Sequence, residues 1–374
     1  MTYNFIAQRA TTREFLSMEL PFTLDGGVET VLSGVPVLSG TVSPDVGRLR
    51  APDGELLLDE WGTFLFVEEE GVIRWGGIVT FSRMDGQEWR VEAAGFSTYP
   101  YGMPYDGEFS GEQVDPADVF RHVWEHIQGK PDGDLGVTVT GSTTVRIGTK
   151  KEDVSFQTGS GAQVDFEAGP HTINWWEAPD CGSELDSLAA ATPFDWTEHH
   201  RWNEDKTDVL HEIRIHYPRA GRRRDDLIFE QGVNVVSEVT PERDGENFAN
   251  EVLGIGSGEG KKSLRRTTAV RDGRLRRVKV LEAKNVSKTS PLDALIRNEL
   301  NRSRNVQTID EITVRQHTNA PIGSWSVGDD ILVKANLPWL GETDLWCRIV
   351  AWELLADDRA RLSLARSDSF IYGG

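Results

Sequence analysis

Cysteine is scarce in this chain. Only Cys181 and Cys347 occur in 374 residues, far apart in sequence. Neither a disulfide framework nor a zinc-ligand spacing can be built from them. Long apolar runs are missing as well, since no stretch approaches the roughly 20 apolar residues of a membrane helix. The N-terminus, Met-Thr-Tyr-Asn-Phe-Ile-Ala-Gln-Arg, has neither the basic start nor the apolar run of a signal peptide. A soluble protein made in a cytoplasm is expected. Basic residues are in deficit, 40 Lys and Arg against 60 Asp and Glu, giving a net charge of −20. That excludes nucleic-acid binding through a general basic surface.

Aromatic residues are plentiful, with 12 Trp and 15 Phe, so a sizeable core can be packed. The length suits two or three domains at about 150 residues each. The C-terminal stretch from Trp325 to Ala365 holds three short β-branched and aromatic runs separated by turn residues, which reads as an antiparallel meander. In its last run Ala360, Leu362 and Leu364 alternate with polar residues, so one face is buried. A similar pattern runs from Trp61 to Ala93, with Asp85-Gly86 as a hairpin turn and Trp89, Val91 and Ala93 on the buried face. An amphipathic helix accompanies each copy. One opens at Asp115-Pro116 and carries the stripe Val119, Phe120, Val123, Trp124 and Ile127; the other opens at Ser290-Pro291 with Leu292, Leu295, Ile296 and Leu300. The reading is mainly β with minor α: two related β-barrels, 1–112 and 226–374, around a segment 113–225 made of a helix, a β-rich insertion (131–180) and a middle domain.

Four features invite a chemical reading. His122-Val-Trp-Glu125-His126 spells a zinc-peptidase pattern, two His one helical turn apart with Glu125 as base. The apolar stripe lies on another side of that helix, so a solvated face is the plainer reading, and no third ligand follows. The Gly254–Gly260 run lacks the first Gly and the Ser or Thr of a phosphate loop and reads as a flexible loop. His199, His200, His211 and His216 flank Glu198 and Glu212 on strands expected to be wet, without a triad order. Residues 261–284 hold ten Lys or Arg against two acids, a local charge of +8. Asp272-Gly273 divides this segment, so a basic β-hairpin is expected. It lacks aromatics to stack bases, and on so acidic a chain it reads as a docking element for an acidic neighbour. Arg271, Arg274, Arg276, Arg277 and Lys279 are its candidate interface residues, pointing outward or into a protein interface. No cofactor, metal site or catalytic residue is expected, and no enzyme.

A series of short motifs resembles the minor tail proteins of long-tailed phages infecting actinobacteria, of the baseplate-hub type at the tail tip. The motifs are Gln8-Arg9-Ala10-Thr11-Thr12-Arg13, Leu32-Ser33-Gly34 to Leu38-Ser39-Gly40, Trp75-Gly76-Gly77-Ile78, Asp115-Pro116, Tyr217-Pro218-Arg219, Gly232-Val233-Asn234, Phe248-Ala249-Asn250 and Val327-Gly328-Asp329. They run over nearly the whole chain in that order. The resemblance implies two tube-type barrels per subunit and a homotrimer. It also implies partners among the distal tail protein, the tape measure protein and other tip proteins, contact with the host envelope, and phage DNA only in transit. A virion tail-tip hub that closes the tube and opens for ejection is the expectation. Its rivals are a distal tail ring or cell-wall-binding tip protein, and a metal-dependent hydrolase using His122, Glu125 and His126.

Overall fold

The computed structural model describes residues 3–150, 152–157, 163–192, 194–240, 242–243, 245, 248–258, 263–283, 286, 288–304, 307–337, 341–355 and 358–367, without the side chains at 85, 152–157, 163–168, 242–243, 302 and 307–308. The turn at Asp357 and the Gly260-Lys261-Lys262 end of the glycine run lie outside the described residues.

The architecture is mainly β with minor α, and two large sheets dominate it. The N-terminal sheet has seven strands. Their order is Phe15–Ser17, Asn4–Arg9, Thr63–Glu69, Val72–Asp85, Glu88–Ala94, Val37–Val42 and Thr23–Leu24, with every neighbour antiparallel. The C-terminal sheet runs Arg223–Glu230, Asp330–Leu337, Gly341–Leu355, Arg359–Arg366 and Glu311–Arg315, the first pair parallel and the others antiparallel. Four strands repeat in order and direction. Val37–Val42 precedes the first meander and pairs with its last strand, as Glu311–Arg315 does with the second. In each copy the long middle strand carries one register shift against its successor, between Val79 and Phe81 and between Ile349 and Ala351. Such bulges bend a strand and increase its twist, which lets strands this long wrap around a core. Alternation decides the faces: Ala360 and Leu362 are fully buried between exposed Arg359 and Arg361.

The expectation of two tube-type barrels is met in part. Among the described residues, strand pairing leaves both sheets open; in the C-terminal one, bridges from Val235 to Gln231 and Val314 draw the edges together. The halves also share a strand. Val28–Val31 of the first half pairs with Ala351–Leu354, extending the C-terminal sheet beyond the reach of Asp330–Leu337. Gly27 is needed there, because a Cβ would lie 2.0 Å from the Leu354 carbonyl oxygen.

Between the halves, Val137–Thr140, Val209–His216 and Asp195–Trp202 form a three-stranded sheet. The helix Pro116–Gln128 forms as the sequence predicts. Asp115 caps it, accepting from the Ala117 amide at 2.9 Å and from the Thr143 amide and hydroxyl at 2.8 and 2.7 Å. Its stripe, Val119, Phe120, Val123, Trp124 and Ile127, is buried in one core with Phe64, Phe66 and Ile78 from the outer face of the N-terminal sheet and with Val137 and Ile213. Each such side chain is worth about 1.5–3 kcal/mol of burial. This helix therefore welds the middle domain to the first sheet.

The second helix departs from expectation. Thr289–Arg304 does not cover the C-terminal sheet. Leu292, Ile296 and Leu300 pack on Val252 and Leu264 in a small separate core. The expected basic hairpin is also overturned. Arg265–Ala269 and Val278–Glu282 both pair with Glu251–Ile255, which lies between them, antiparallel to the first and parallel to the second. Like charges facing across a ladder are destabilising, and the apolar Val252-Leu253-Gly254-Ile255 run separates them. The result is a lobe: one three-stranded sheet, one covering helix, inserted between strands of the C-terminal sheet.

Candidate functional site

The zinc-peptidase pattern holds no metal geometry. His122 Nε2 lies 2.8 Å from the Tyr105 hydroxyl, while His126 Nε2 lies 2.6 Å from Asp106, which also binds Lys130 at 2.7 Å. The two rings sit 6.4 Å apart and Glu125 is exposed. Among the described residues, no group of three or more His, Cys, Asp or Glu is placed to hold a metal ion. The glycine run has a packing reason. A Cβ on Gly254 would lie 2.5 Å from Ile296, and one on Gly256 would lie 2.6 Å from the Val286 carbonyl oxygen. These glycines let the lobe close on itself.

In the lobe the candidate interface residues are largely engaged within the chain. Arg276 makes a forked contact with Glu251 at 2.8 and 2.6 Å, and Arg271 reaches the same carboxylate at 3.2 Å. Those bonds, Arg276's first, hold the Glu251 carboxyl down at about 2. Arg274 bonds Asp272 and lies 3.8 Å over the Phe248 ring. Lys279 reaches Glu299 at 2.7 Å. The Arg277 side chain is exposed. Asn250 turns the chain here: its Oδ1 accepts from the Arg277 amide at 2.9 Å and its Nδ2 donates to the Leu275 carbonyl at 3.1 Å. The Phe248-Ala249-Asn250 motif thus builds the lobe's base.

Two of the strand histidines, His200 and His211, are turned away from water, while His199 is exposed and His216 half-buried on the other face. His211 is 2% exposed and His200 packs beside it. Arg13 Nη1 lies 3.3 Å from His211 Nε2. A guanidinium only donates, so His211 accepts at Nε2 and carries its proton on Nδ1. That proton goes to His200 Nδ1, 3.2 Å away. His200 then holds its own proton on Nε2, 3.5 Å from Glu198. Glu198 in turn accepts from the Phe96 and Ser97 amides at 3.1 and 2.8 Å. This relay joins the first sheet's Arg13 loop, the middle sheet and the Phe96 turn. Burial, then His200 and Arg13, drives the His211 pKa well below the ordinary value. Nearby, the Thr197 hydroxyl contacts His199 and His216 at 2.9 and 2.8 Å, in the wall of a cleft of about 630 Å³ that Arg214, Arg222 and Trp352 also line. Burial lowers both pKa values, that of His199 to about 4.

The contacts that lock the C-terminal sheet to the middle domain involve residues the sequence reading passed over. Arg348 is fully buried, yet it bonds Asp195 at 2.5 Å and the Gly328 and Ala220 carbonyls at 3.1 and 3.0 Å. Arg224 is 8% exposed and pairs with Asp329 at 3.1 Å and Asp226 at 2.7 Å. Arg219 bonds Asp330 at 2.7 Å. Two glycines allow the approach: Gly328 has φ +90° and Gly221 φ +74°, and a Cβ on Gly221 would lie 2.1 Å from the Gly328 carbonyl carbon. The Tyr217-Pro218-Arg219 and Val327-Gly328-Asp329 motifs are thus two sides of one joint. The signal available in sequence was Gly and Asp at the opening of a strand.

No protein-family model and no curated protein matches the chain. Solved structures do resemble it over nearly its whole length. The prophage MuSo2 43 kDa tail protein from Shewanella oneidensis is 13% identical, with TM-score 0.59 and 99% of each chain covered. A tail protein from Neisseria meningitidis MC58 is 13% identical, with TM-score 0.55 and coverage of 98% of this chain and 97% of the other. The prophage tail protein gp18 from Listeria monocytogenes EGD-e is 11% identical, with TM-score 0.52 and coverage of 97% and 95%. The likeness reaches the fold of these tail proteins and no narrower group, actinobacterial phages included. The chain has the fold of phage tail proteins.

Proposed function

We propose that the chain is a structural tail-tip hub of a long-tailed phage, assembled as a homotrimer and without enzymatic activity. The observation that carries this reading is the repeated four-strand order of the two large sheets. Three copies of a two-sheet subunit present six similar sheets, the number that fits a six-fold tail tube to a three-fold tip. The shared strand Val28–Val31 and the buried joint at Arg348 support it, because they hold the two halves of one subunit in fixed register, as a ring requires. The partners on this reading are the distal tail protein, the tape measure protein and other tip proteins, with host-envelope contact and DNA passing through the lumen. The boundaries 1–112, 113–225 and 226–374 and an actinobacterial host belong to the same proposal. Mass measurement of the purified chain with negative-stain imaging tests it. Three copies around a central opening are expected; six copies would move the chain to the distal ring, and a monomer at all concentrations would overturn the hub.

A further inference from the structure

Among the described residues, the sheet of the inserted lobe is packed by a helix on one face. Val252, Gly254, Lys279 and Leu281 turn toward the helix Thr289–Arg304. Alternation along the strands puts Leu253, Ile255, Val278 and Val280 on the other face. There Val278 is 40% and Val280 52% exposed, and Leu275 at the tip is 88% exposed. The strand registers put Glu251, Arg265, Thr267 and Glu282 around these apolar side chains, and the face belongs to the most basic part of the chain, with seven Lys or Arg against two acids over residues 263–283.

A second exposed patch has the opposite character. In the middle domain Trp175 and Trp176 are 56% and 57% exposed, on a short turn after the strand His171–Asn174. Asn174 faces Glu108 across that ladder, and Tyr101, 39% exposed, bonds Asp186 at 3.0 Å. Residues 100–112 and 171–191 together contain seven acids and not one Lys or Arg. Two large indoles standing in water beside these acids, of which Asp106 is already paired with Lys130 and His126, have the composition of a binding hot spot for an Arg-rich apolar partner.

We infer that these two patches are the two sides of one interface: the lobe of one copy docks its Val278–Val280 face and surrounding arginines onto the Trp175–Trp176 patch of the next copy. The occupant is a second copy because charge and apolar area match on the same chain. Two different, complementary patches on one subunit make a head-to-tail contact, which closes into a ring when the rotation allows. This inference rests on the ring assembly proposed above and adds the surfaces that make it.

The experiment uses three full-length proteins: the wild type, a lobe variant (Val278→Glu with Val280→Glu) and a patch variant (Trp175→Ala with Trp176→Ala). All four positions are well exposed, and circular dichroism and the melting midpoint check that each variant folds as the wild type does. Mass photometry then reads the assembly. The wild type forms the ring. Each variant alone is monomeric, its dissociation constant raised at least about 100-fold, as loss of a hot spot predicts. Mixed one to one, the variants form a particle of two copies and no larger, since only the intact lobe of one and the intact patch of the other can meet. A wild-type ring that survives both double substitutions overturns this interface and leaves the hub reading standing. Variants that stay monomeric on mixing also overturn it. A wild type that never assembles overturns the hub reading itself.

Discussion

Replacing Arg348 by methionine tests the joint between the C-terminal sheet and the middle domain. The substitution keeps most of the aliphatic volume and deletes the bonds to Asp195, Gly328 and Ala220. Asp195, 4% exposed, would then hold a charge with the Ala220 amide, at 2.7 Å, as a remaining donor. Breaking one partner of a buried ion pair costs about 3–5 kcal/mol, most of it from the stranded charge. Two carbonyls losing their donor add to it, at about 1–3 kcal/mol for each group left unsatisfied, so the upper part of that range is expected. Removing both charges, with Asp195→Leu beside Arg348→Met, relieves the stranded carboxylate. The double variant is expected to lie at least about 2 kcal/mol above the sum of the single losses, a coupling of the size neighbours show. Urea unfolding followed by tryptophan fluorescence and by circular dichroism measures it, using the transition that moves if the two probes separate. A loss below about 1 kcal/mol for Arg348→Met, or strict additivity in the double variant, would refute the reasoning.

The buried relay makes the fold acid-sensitive. His211 is held neutral in the folded chain while the unfolded chain takes up the proton near 6.5. Stability is therefore fully present above about pH 6.5 and falls below it, at up to about 1.4 kcal/mol per pH unit for this group. His211→Asn should remove about one proton's worth of slope in denaturation midpoints between about pH 5 and 6; an unchanged slope counts against the relay. Gly328→Ala puts a Cβ 2.7 Å from the Ala220 carbonyl at φ +90° and should cost more than about 1 kcal/mol in the same unfolding assay; a neutral result would mean the joint can open without penalty. His122→Ala with His126→Ala should leave bound zinc at background by elemental analysis, because each ring is already held elsewhere, by Tyr105 and Asp106. Stoichiometric zinc lost in that variant would restore the hydrolase reading.

Local signals in the sequence carried the strands and helices, and long-range contacts carried the rest. The helix Pro116–Gln128 was legible from its cap, its proline and its stripe, because those act within four residues. The meanders were legible from alternation. The lobe was not: Asp272-Gly273 between two strand-like runs is a sound hairpin signal, and nothing local says that Glu251–Ile255 will come between the two runs. The histidines misled for a similar reason. Alternation along Asp195–Trp202 and Val209–His216 separates the faces without saying that the face of His200 and His211 will be covered by the Phe64–Phe96 cluster, while His199 stays exposed on the other. Arg348 and Arg224 looked like surface residues because arginine usually is one. Their burial depends on carboxylates 153 and 105 positions away in the chain.

The distribution of these buried charges favours one fixed arrangement of the C-terminal sheet on the middle domain. An apolar joint of equal area would be as stable, and replacing buried ion pairs by well-packed apolar residues often stabilises. What the Arg348–Asp195 and Arg224–Asp329 pairs add is direction: each guanidinium is met by acceptors from fixed positions, so sliding the sheet along the middle domain by one residue would strand every partner at once. The strand Val28–Val31 acts in the same sense, since a one-residue slip against Ala351–Leu354 would turn Val28 away from the core. One device fixes the C-terminal sheet to the middle domain and the other fixes it to the first half of the chain. In the proposed ring, spacing would depend both on these internal joints and on the contacts between copies. The internal joints resist shear, so in the ring proposed above an opening would fall at the contacts between copies, which that proposal assigns to the exposed lobe and the exposed tryptophans.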